Sequence, residues 1–327
     1  MTSATAIASA NIAFIKYWGN LAPGLRLPFN SSLSMNLSAA TTTTTVRFDT
    51  NLVADRVVID GAERTGAPAE RVARHLDLIR ARAGIRAPAE VESANSFPMG
   101  TGIASSASAF AALTLAGAAA AGLTLPEPEL SALARRGSGS AARSVPPGFV
   151  EWHAAGEDAQ SFAASIAPPE HWDLRDIVAV VSRDHKRTGS TDGHGAALGS
   201  PFFAARIAAL QAETPRVRQA ILDRDIAVLG PAIEAEALAL HAIALTGRPA
   251  VLYWTPETVA LLHQVRAWRD AGLPVWFTLD AGPNVHLICE GAAAGEVEAG
   301  LRALDYVAAW LHNHVAGAAC LAPIASP

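Results

Sequence analysis

The stretch SANSFPMGTGIASSASAF, residues 93–110, constrains the fold of this chain more than any other segment. Extended residues end at Pro98, a turn follows at Gly100, Thr101 and Gly102, and an Ala-rich helix begins close to Ser105 and Ser106. That order aims several backbone N–H groups and the positive end of a helix at one point, and the serine hydroxyls add donors without bulk. Gly100, Gly102, Ser105 and Ser106 therefore read as a phosphate cradle between a strand and a buried helix. The segment lacks the GxxxxGK[ST] and GxGxxG patterns of the common nucleotide loops, and taken alone it also suits an ordinary helix N-cap.

The remaining chain predicts a mixed α and β fold. ATTTTTVRF (residues 40–48) and RVVID (56–60) are rich in β-branched residues and read as adjacent strands across a polar turn. AERVARHLDLIRARAG (69–84) has helical spacing and a terminal Gly. Further helices are expected from about Ser105 to Gly122 and over 127–137. Strands are expected at 148–152 and 175–183, and between Pro201 and Gly247 helices should be interrupted at Pro215 and Pro231. PETVALLHQVRAWRDAG (256–272) has the Pro-start, Gly-stop signature of a helix. Two strands within 273–290 then flank the turn Asp-Ala-Gly-Pro-Asn, and a last helix is expected near 296–305. With 327 residues the chain is long enough for two packed domains, and the pattern changes character near Trp172, giving 1–172 and 173–327.

Composition removes several functional classes. Lys plus Arg number 25 against 30 Asp plus Glu, a formal charge of −5, so there is no positive field for a nucleic-acid backbone. The first 20 residues have no basic end followed by an apolar run, and apolar stretches elsewhere are broken by Gly, charge or polar residues, which predicts a soluble cytoplasmic protein and no membrane partner. Cys289 and Cys320 lie in or near apolar segments without zinc-ligand spacing and read as buried free thiols.

Five polar segments stand out in a chain that is 50% hydrophobic. ANIAFIKYWGN (10–20) presents Lys16, Tyr17 and Trp18 after an apolar run, and PFNSSLSMNLS (28–38) places hydroxyl and amide side chains before the next strand. RRGSGSAARS (135–144) frees the backbone with two glycines ahead of Arg143, a bidentate partner for a carboxylate. DHKRTGSTDGH (184–194) follows a predicted buried strand, and TLDAGPN carries Asp280 at a strand end. No Cys or His cluster has metal-ligand spacing; His185 and His194 read as surface histidines, and no protein metal ligand is named. The set suits a strongly anionic substrate. Taken one at a time, Asp280 also fits a solvent-facing strand end, Arg143 a local cap, and Lys16 a snorkelling lysine on an apolar edge.

At these residues the chain resembles the diphosphomevalonate decarboxylase family of the GHMP small-molecule kinase superfamily. The resemblance runs from NIAFIKYWGN through PFNSSLSMNLS, FPMGTGIASSASAFAALTLA, ARRGSGSAARS with GFVEW, and GSTDGH to FTLDAGPNVH, and so covers most of the chain. It implies an α+β, two-domain GHMP-kinase-like fold. The amino-terminal domain would carry a left-handed βαβ crossover at the nucleotide loop and the carboxy-terminal domain would be ferredoxin-like, with the active site in the cleft between. It also implies ATP-dependent phosphorylation of the C3 hydroxyl of a 5-phosphorylated mevalonate, followed by loss of phosphate and carbon dioxide. In that reaction Asp280 contacts the C3 hydroxyl, Arg143 with Ser140 holds the carboxylate, and Lys16 steadies developing phosphate charge. Tyr17 and Asn20 fall at the substrate, Ser190 reaches the triphosphate, Mg2+ is the expected partner of ATP, and a homodimer is compatible with the resemblance.

Two positions depart from the family pattern. The usual segment reads Lys-Tyr-Trp-Gly-Lys followed by Arg-Asp, whereas this chain has Asn20, Leu21 and Ala22. A diphosphate would gain more than a monophosphate from the lysine that Asn20 replaces, so the sequence leans toward 5-phosphomevalonate and isopentenyl phosphate. Arg26, Lys186 or Arg187 are other sources of that charge, which leaves 5-diphosphomevalonate as the alternative. A kinase that phosphorylates without decarboxylating is a further alternative, opposed by Asp280 and Arg143. Ala142 stands where many relatives carry Cys, a change behind the Arg143 loop that need not alter the chemistry.

Overall fold

The computed structural model describes residues 2–97, 105–183 and 188–323. The first half runs β1 (Thr2–Ile15), β2 (Asn20–Ala22), β3 (Leu27–Pro28), β4 (Ser32–Phe48), β5 (Arg56–Ile59), β6 (Ala62–Arg64), α1 (Ala67–Ala83), β7 (Ala89–Asn95), α2 (Ser105–Ala120) and α3 (Glu127–Gly137). A 3-10 turn, Gly139–Ser144, leads to β8 (Phe149–Trp152) and β9 (Ala163–Ala167). The second half runs β10 (Leu174–Val180), α4 (Ser190–Ala197), α5 (Phe203–Asp223), α6 (Ile226–Thr246), α7 (Pro256–Asp270), β11 (Trp276–Thr278), β12 (Val285–Glu290), α8 (Gly291–Arg302), β13 (Ala309–His314) and β14 (Cys320–Leu321).

The larger sheet has the order β14-β1-β4-β7-β5-β6, with β8 on β4 and β9 on β8. β1 and β4 form its spine, an antiparallel ladder from Thr2 opposite Phe48 to Ile15 opposite Leu33. β5 and β7 run parallel, and α1 lies in the chain between them. This corrects the expected pairing of 40–48 with 56–60: β7 inserts between β4 and β5, because the strand that returns from α1 pairs with both. The polar segment 28–38 is also not a loop throughout. Ser32, Ser34 and Asn36 lie within β4, where the two-residue period puts them on one face while Leu33, Met35 and Leu37 enter the core on the other.

The smaller sheet has the order β11-β12-β10-β13 and is antiparallel throughout. In chain order this is second, third, first, fourth strand, the ferredoxin-like arrangement. The predicted interruptions at Pro215 and Pro231 do not occur. Both prolines sit inside helices, on exposed faces where the carbonyl each one releases can meet water. The break falls between them, where Arg224 takes a left-handed conformation (φ 57°) and Asp225 caps α6 by accepting from the Val228 N–H. The last helix, α8, starts five residues earlier than the sequence pattern suggests.

One core spans both sheets: Phe14, Leu33 and Phe149 meet Val178, Leu210 and Trp276. A second core packs α1, α2 and α3 on the larger sheet, and a third packs α7 and α8 on the smaller. α6 is long and apolar enough to cross a membrane by length and composition, but it carries Glu234 and Glu236 and packs into the interior, with Leu229 and Ile233 in the shared core. Cys289 is buried as expected; Cys320 is exposed, because it lies on the short strand β14 at the sheet edge.

Candidate active site

A cleft of about 600 Å³ opens where the end of β1, the 3-10 turn, the starts of α2 and α4, and the turn after β11 converge. Lys16, Tyr17, Ser140, Arg143 and Asp280 line it together with Ser105, Ser106 and Ser190. Residues separated by up to 264 positions thus face one space. Asn20 lies half-buried at the start of β2 and accepts a hydrogen bond from the Tyr17 hydroxyl. Gly100 and Gly102 lie outside the described residues, as do Lys186, Arg187 and His185.

Asp280 owes its position to the turn that follows β11. The Gly282 N–H donates to the Asp280 carbonyl (2.7 Å), and the Thr258 hydroxyl of α7 donates to the Pro283 carbonyl (2.7 Å). The Asn284 side chain accepts from the backbone N–H groups of Val181 and Ser182, tying the turn to the end of β10. The Asp280 carboxylate, 25% exposed, meets the Lys16 ammonium, 1% exposed, at 2.9 Å. That ammonium also donates to the Ala13 carbonyl at 2.6 Å. Burial lowers the Lys16 pKa, against the charges of Asp280 and Glu236, which favour its protonated form. Burial alone would raise the Asp280 pKa, but the charges of Lys16, His286 and Arg143 outweigh it and hold the carboxyl below its usual range.

Arg143 is set by Asn11, a buried residue of β1. Asn11 donates to the Ser144 hydroxyl (2.8 Å) and the Ser140 carbonyl (3.1 Å), and its own side-chain oxygen accepts from Arg143 Nε (3.2 Å). Arg143 Nη1 donates to the Ser32 hydroxyl at 2.6 Å, so the polar face of β4 carries the cation. Burial lowers the Arg143 pKa to about 10, which still leaves it charged at neutral pH. Ser106 and Ser138, both in the cleft lining, meet through their hydroxyls at 3.0 Å.

His194 corrects the surface reading: it is buried, its ring lies 4.3 Å from Tyr17 and 4.6 Å from Trp18 between centroids, and Nδ1 accepts the Gly19 N–H at 2.8 Å. Its place follows from α4, whose last turn delivers it to the cleft wall. Arg64 and Arg71 also line the cleft with Arg26 and were not singled out from the sequence. The only sign of Arg71 in the sequence is a charged position on an amphipathic helix, common enough to carry no weight. In the fold, Arg71 lies over the Phe110 ring (4.5 Å) and donates to the Gly137 carbonyl, and burial lowers its pKa to about 10. Among the described residues, no group of three or more His, Cys, Asp or Glu is arranged to hold a metal ion.

Residues 8–163 match the model of the diphosphomevalonate decarboxylase-like N-terminal domain, and residues 176–315 match that of the mevalonate 5-diphosphate decarboxylase C-terminal domain. The chain belongs to the diphosphomevalonate decarboxylase family. Within the family it is 36% identical to the phosphomevalonate decarboxylase of Haloferax volcanii over 87% of each chain. It is 33% identical to the diphosphomevalonate decarboxylase of Candida albicans over 91% of this chain and 87% of that one. A solved structure described as MDDEF in complex with MVAPP, AMPPCP and magnesium superposes with a TM-score of 0.93 at 35% identity over 99% of both chains. The mevalonate diphosphate decarboxylase of Staphylococcus aureus superposes with 0.92 at 33% over 98% of both. These family members also bear out the two-domain α+β expectation.

Proposed function

We propose that this protein decarboxylates a 5-phosphorylated mevalonate at the expense of ATP, with 5-phosphomevalonate preferred and isopentenyl phosphate, ADP, phosphate and carbon dioxide as products. The observation that carries the reading is the buried Lys16–Asp280 pair in a cleft that Arg143 shares with Ser105 and Ser106. The C3 hydroxyl donates a hydrogen bond to the Asp280 carboxylate and its oxygen attacks the γ-phosphorus of ATP. Because the Asp280 carboxyl is held acidic, it orients the hydroxyl and receives its proton late in a loose transfer. Lys16 stabilises charge on the transferring oxygens. The C3–O bond then breaks with phosphate leaving, and the electrons of the bond between the carboxylate and C2 form the C2=C3 double bond as carbon dioxide departs. Arg143, with Ser140, holds the carboxylate in line for that step.

Ser105 and Ser106 at the start of α2, and Ser190 at the start of α4, are assigned to the triphosphate together with Gly100 and Gly102. The cleft fits a polyanion: two helix N-termini and the guanidinium groups of Arg26, Arg64 and Arg71 line it. Mg2+ fits as the counter-ion of the triphosphate, where it keeps waters and needs few protein ligands. When bound it neutralises phosphate charge. Tyr17 and Asn20 are assigned to the 5-phosphate end. The monophosphate preference is supported by the neutral amide at Asn20, which already accepts the Tyr17 hydroxyl. The same reading takes 1–172 and 173–327 as the two domains, makes the enzyme cytoplasmic and is compatible with a homodimer.

The test is a side-by-side assay of the purified protein with Mg-ATP and either 5-phosphomevalonate or 5-diphosphomevalonate, measuring ADP, carbon dioxide and the isopentenyl product. Higher kcat/KM with the monophosphate is expected. Preference for the diphosphate would reverse the substrate assignment alone, whereas ADP without carbon dioxide from both would favour a kinase.

A further inference from the structure

The backbone of Lys16 is held by a buried ion pair from the second half of the chain. Arg206 on α5 and Glu236 on α6 are 4% and 7% exposed and form a salt bridge, with a second contact from Arg206 Nε to Glu236 Oε2 at 3.3 Å. Glu236 Oε1 accepts the Lys16 N–H at 3.0 Å, and Arg206 Nη2 donates to the Lys16 carbonyl at 2.8 Å. The Asn30 side chain donates to the same carbonyl at 3.1 Å. Both polar groups of the Lys16 peptide flanks therefore end on one charged pair, just past the end of β1 where the sheet ladder no longer supplies partners.

This arrangement is costly to build. Burying two opposite charges repays little net stability, and an apolar pair of similar volume commonly serves as well. Its geometric content is different: it fixes one peptide from both sides, so that the Lys16 side chain leaves the backbone toward Ala13 and Asp280 from a single origin. Because α5 and α6 belong to the same half as Asp280, the clamp ties the position of Lys16 on the first sheet to the half that carries its partner. We infer that Arg206 and Glu236 are positioning residues for the reaction, acting through Lys16 and touching neither substrate. The inference rests on the role given to Lys16 above.

Arg206→Met and Glu236→Leu are combined so that neither charge is left buried alone, and the double variant should remain folded, with a thermal midpoint lowered only by the loss of the partners of the Lys16 peptide. Carbon dioxide release is then measured with Mg-ATP and the preferred 5-phosphorylated mevalonate for wild type, the double variant, Lys16→Met, and the triple combination. The double variant should lose roughly 10–100-fold in kcat with KM for ATP unchanged, in line with the cost of misplacing a reacting group by about an ångström. In the Lys16→Met background the clamp replacements should cause no further loss, since their effect passes through Lys16. Wild-type kcat in a double variant, or a full additional loss in the triple, overturns the clamp while leaving Lys16 in its role. Wild-type kcat in Lys16→Met removes the role of Lys16 and the clamp with it. If the double variant fails to fold, Arg206→Met with Glu236→Gln, which also leaves no charge buried alone and keeps an acceptor for the Lys16 N–H, decides in its place through the same cycle.

Discussion

Asp280 sits on a quarter-exposed edge of a pair whose other member is almost wholly enclosed. Its carboxylate charge keeps the Lys16 ammonium tolerable in that enclosure, opposing the effect of burial. Asp280→Asn keeps the size and removes the charge; carbon dioxide release should fall by about 10²–10⁴-fold while ATP binding, measured by equilibrium titration, is kept. Turnover near wild type at saturating substrate would exclude Asp280 as the reacting carboxylate. Asn20→Lys addresses selectivity at the same scale. It gives up the acceptor for the Tyr17 hydroxyl and adds a cation at a half-exposed position, where one ion pair contributes about 0.2–1 kcal/mol. The ratio of kcat/KM values should shift toward the diphosphate by at most several-fold, and a shift toward the monophosphate would show that position 20 does not sense the terminal phosphate.

The 3-10 turn Gly139–Ser144 is the element that brings Ser140 and Arg143 to the cleft. A Cβ at Gly139 would lie 2.4 Å from Tyr17 Cε1, and that ring is confined by Trp152 at 4.7 Å and His194 at 4.3 Å. With the ring held on those two sides, Gly139→Ala should displace the turn and lower kcat/KM for the phosphorylated mevalonate by roughly 10–100-fold. Steady-state kinetics should show KM for ATP little changed; unaltered kinetics for both substrates would mean that the ring moves freely. Elements with local signals were legible in the sequence: α1 with its Gly84 stop, α3, and α7 with its Pro-start and Gly-stop. What the sequence hid depends on partners far along the chain. The insertion of β7 between β4 and β5 is settled by the return from α1, and the continuity of α5 and α6 through their prolines by exposure of those positions. In the site, Lys16, Arg143 and Asp280 were carried by distinctive loops, whereas Arg71, Arg206 and Glu236 sit in helices whose local pattern gives no hint of a cleft or a clamp.

Across the whole molecule, two buried histidines make stability depend on acidity. His75, bonded through Nε2 to the Thr114 hydroxyl, and His241, beneath the Lys16–Asp280 pair, are lowered by burial from 6.5 to about 3. Between those values the unfolded chain binds protons that the folded one refuses, so stability is full above about pH 6.5 and falls as pH drops toward 3. Each histidine contributes a slope of up to about 1.4 kcal/mol per pH unit. His75→Gln, which cannot titrate, should reduce the slope of urea-unfolding free energy between pH 6 and 4 by about that amount; an unchanged slope would show that His75 is not the group responsible.

The segment after β13 also ties distant parts of the chain together. The Ala316 carbonyl accepts the Gly148 N–H, the Ala316 N–H donates to the Asn36 carbonyl, the Ala319 N–H donates to the Val145 carbonyl, and β14 pairs with β1. Val145 directly follows the turn that bears Arg143, so that turn gains its downstream brace from residues 171 to 174 positions further on. During synthesis at about 5–20 residues per second, this is a delay on the order of 10–30 s. A nascent chain in that interval carries the arginine loop without its backstop and β1 without its edge partner. Released chains truncated before Ala316 should therefore be cut readily near Val145 under brief proteolysis, while the full chain resists.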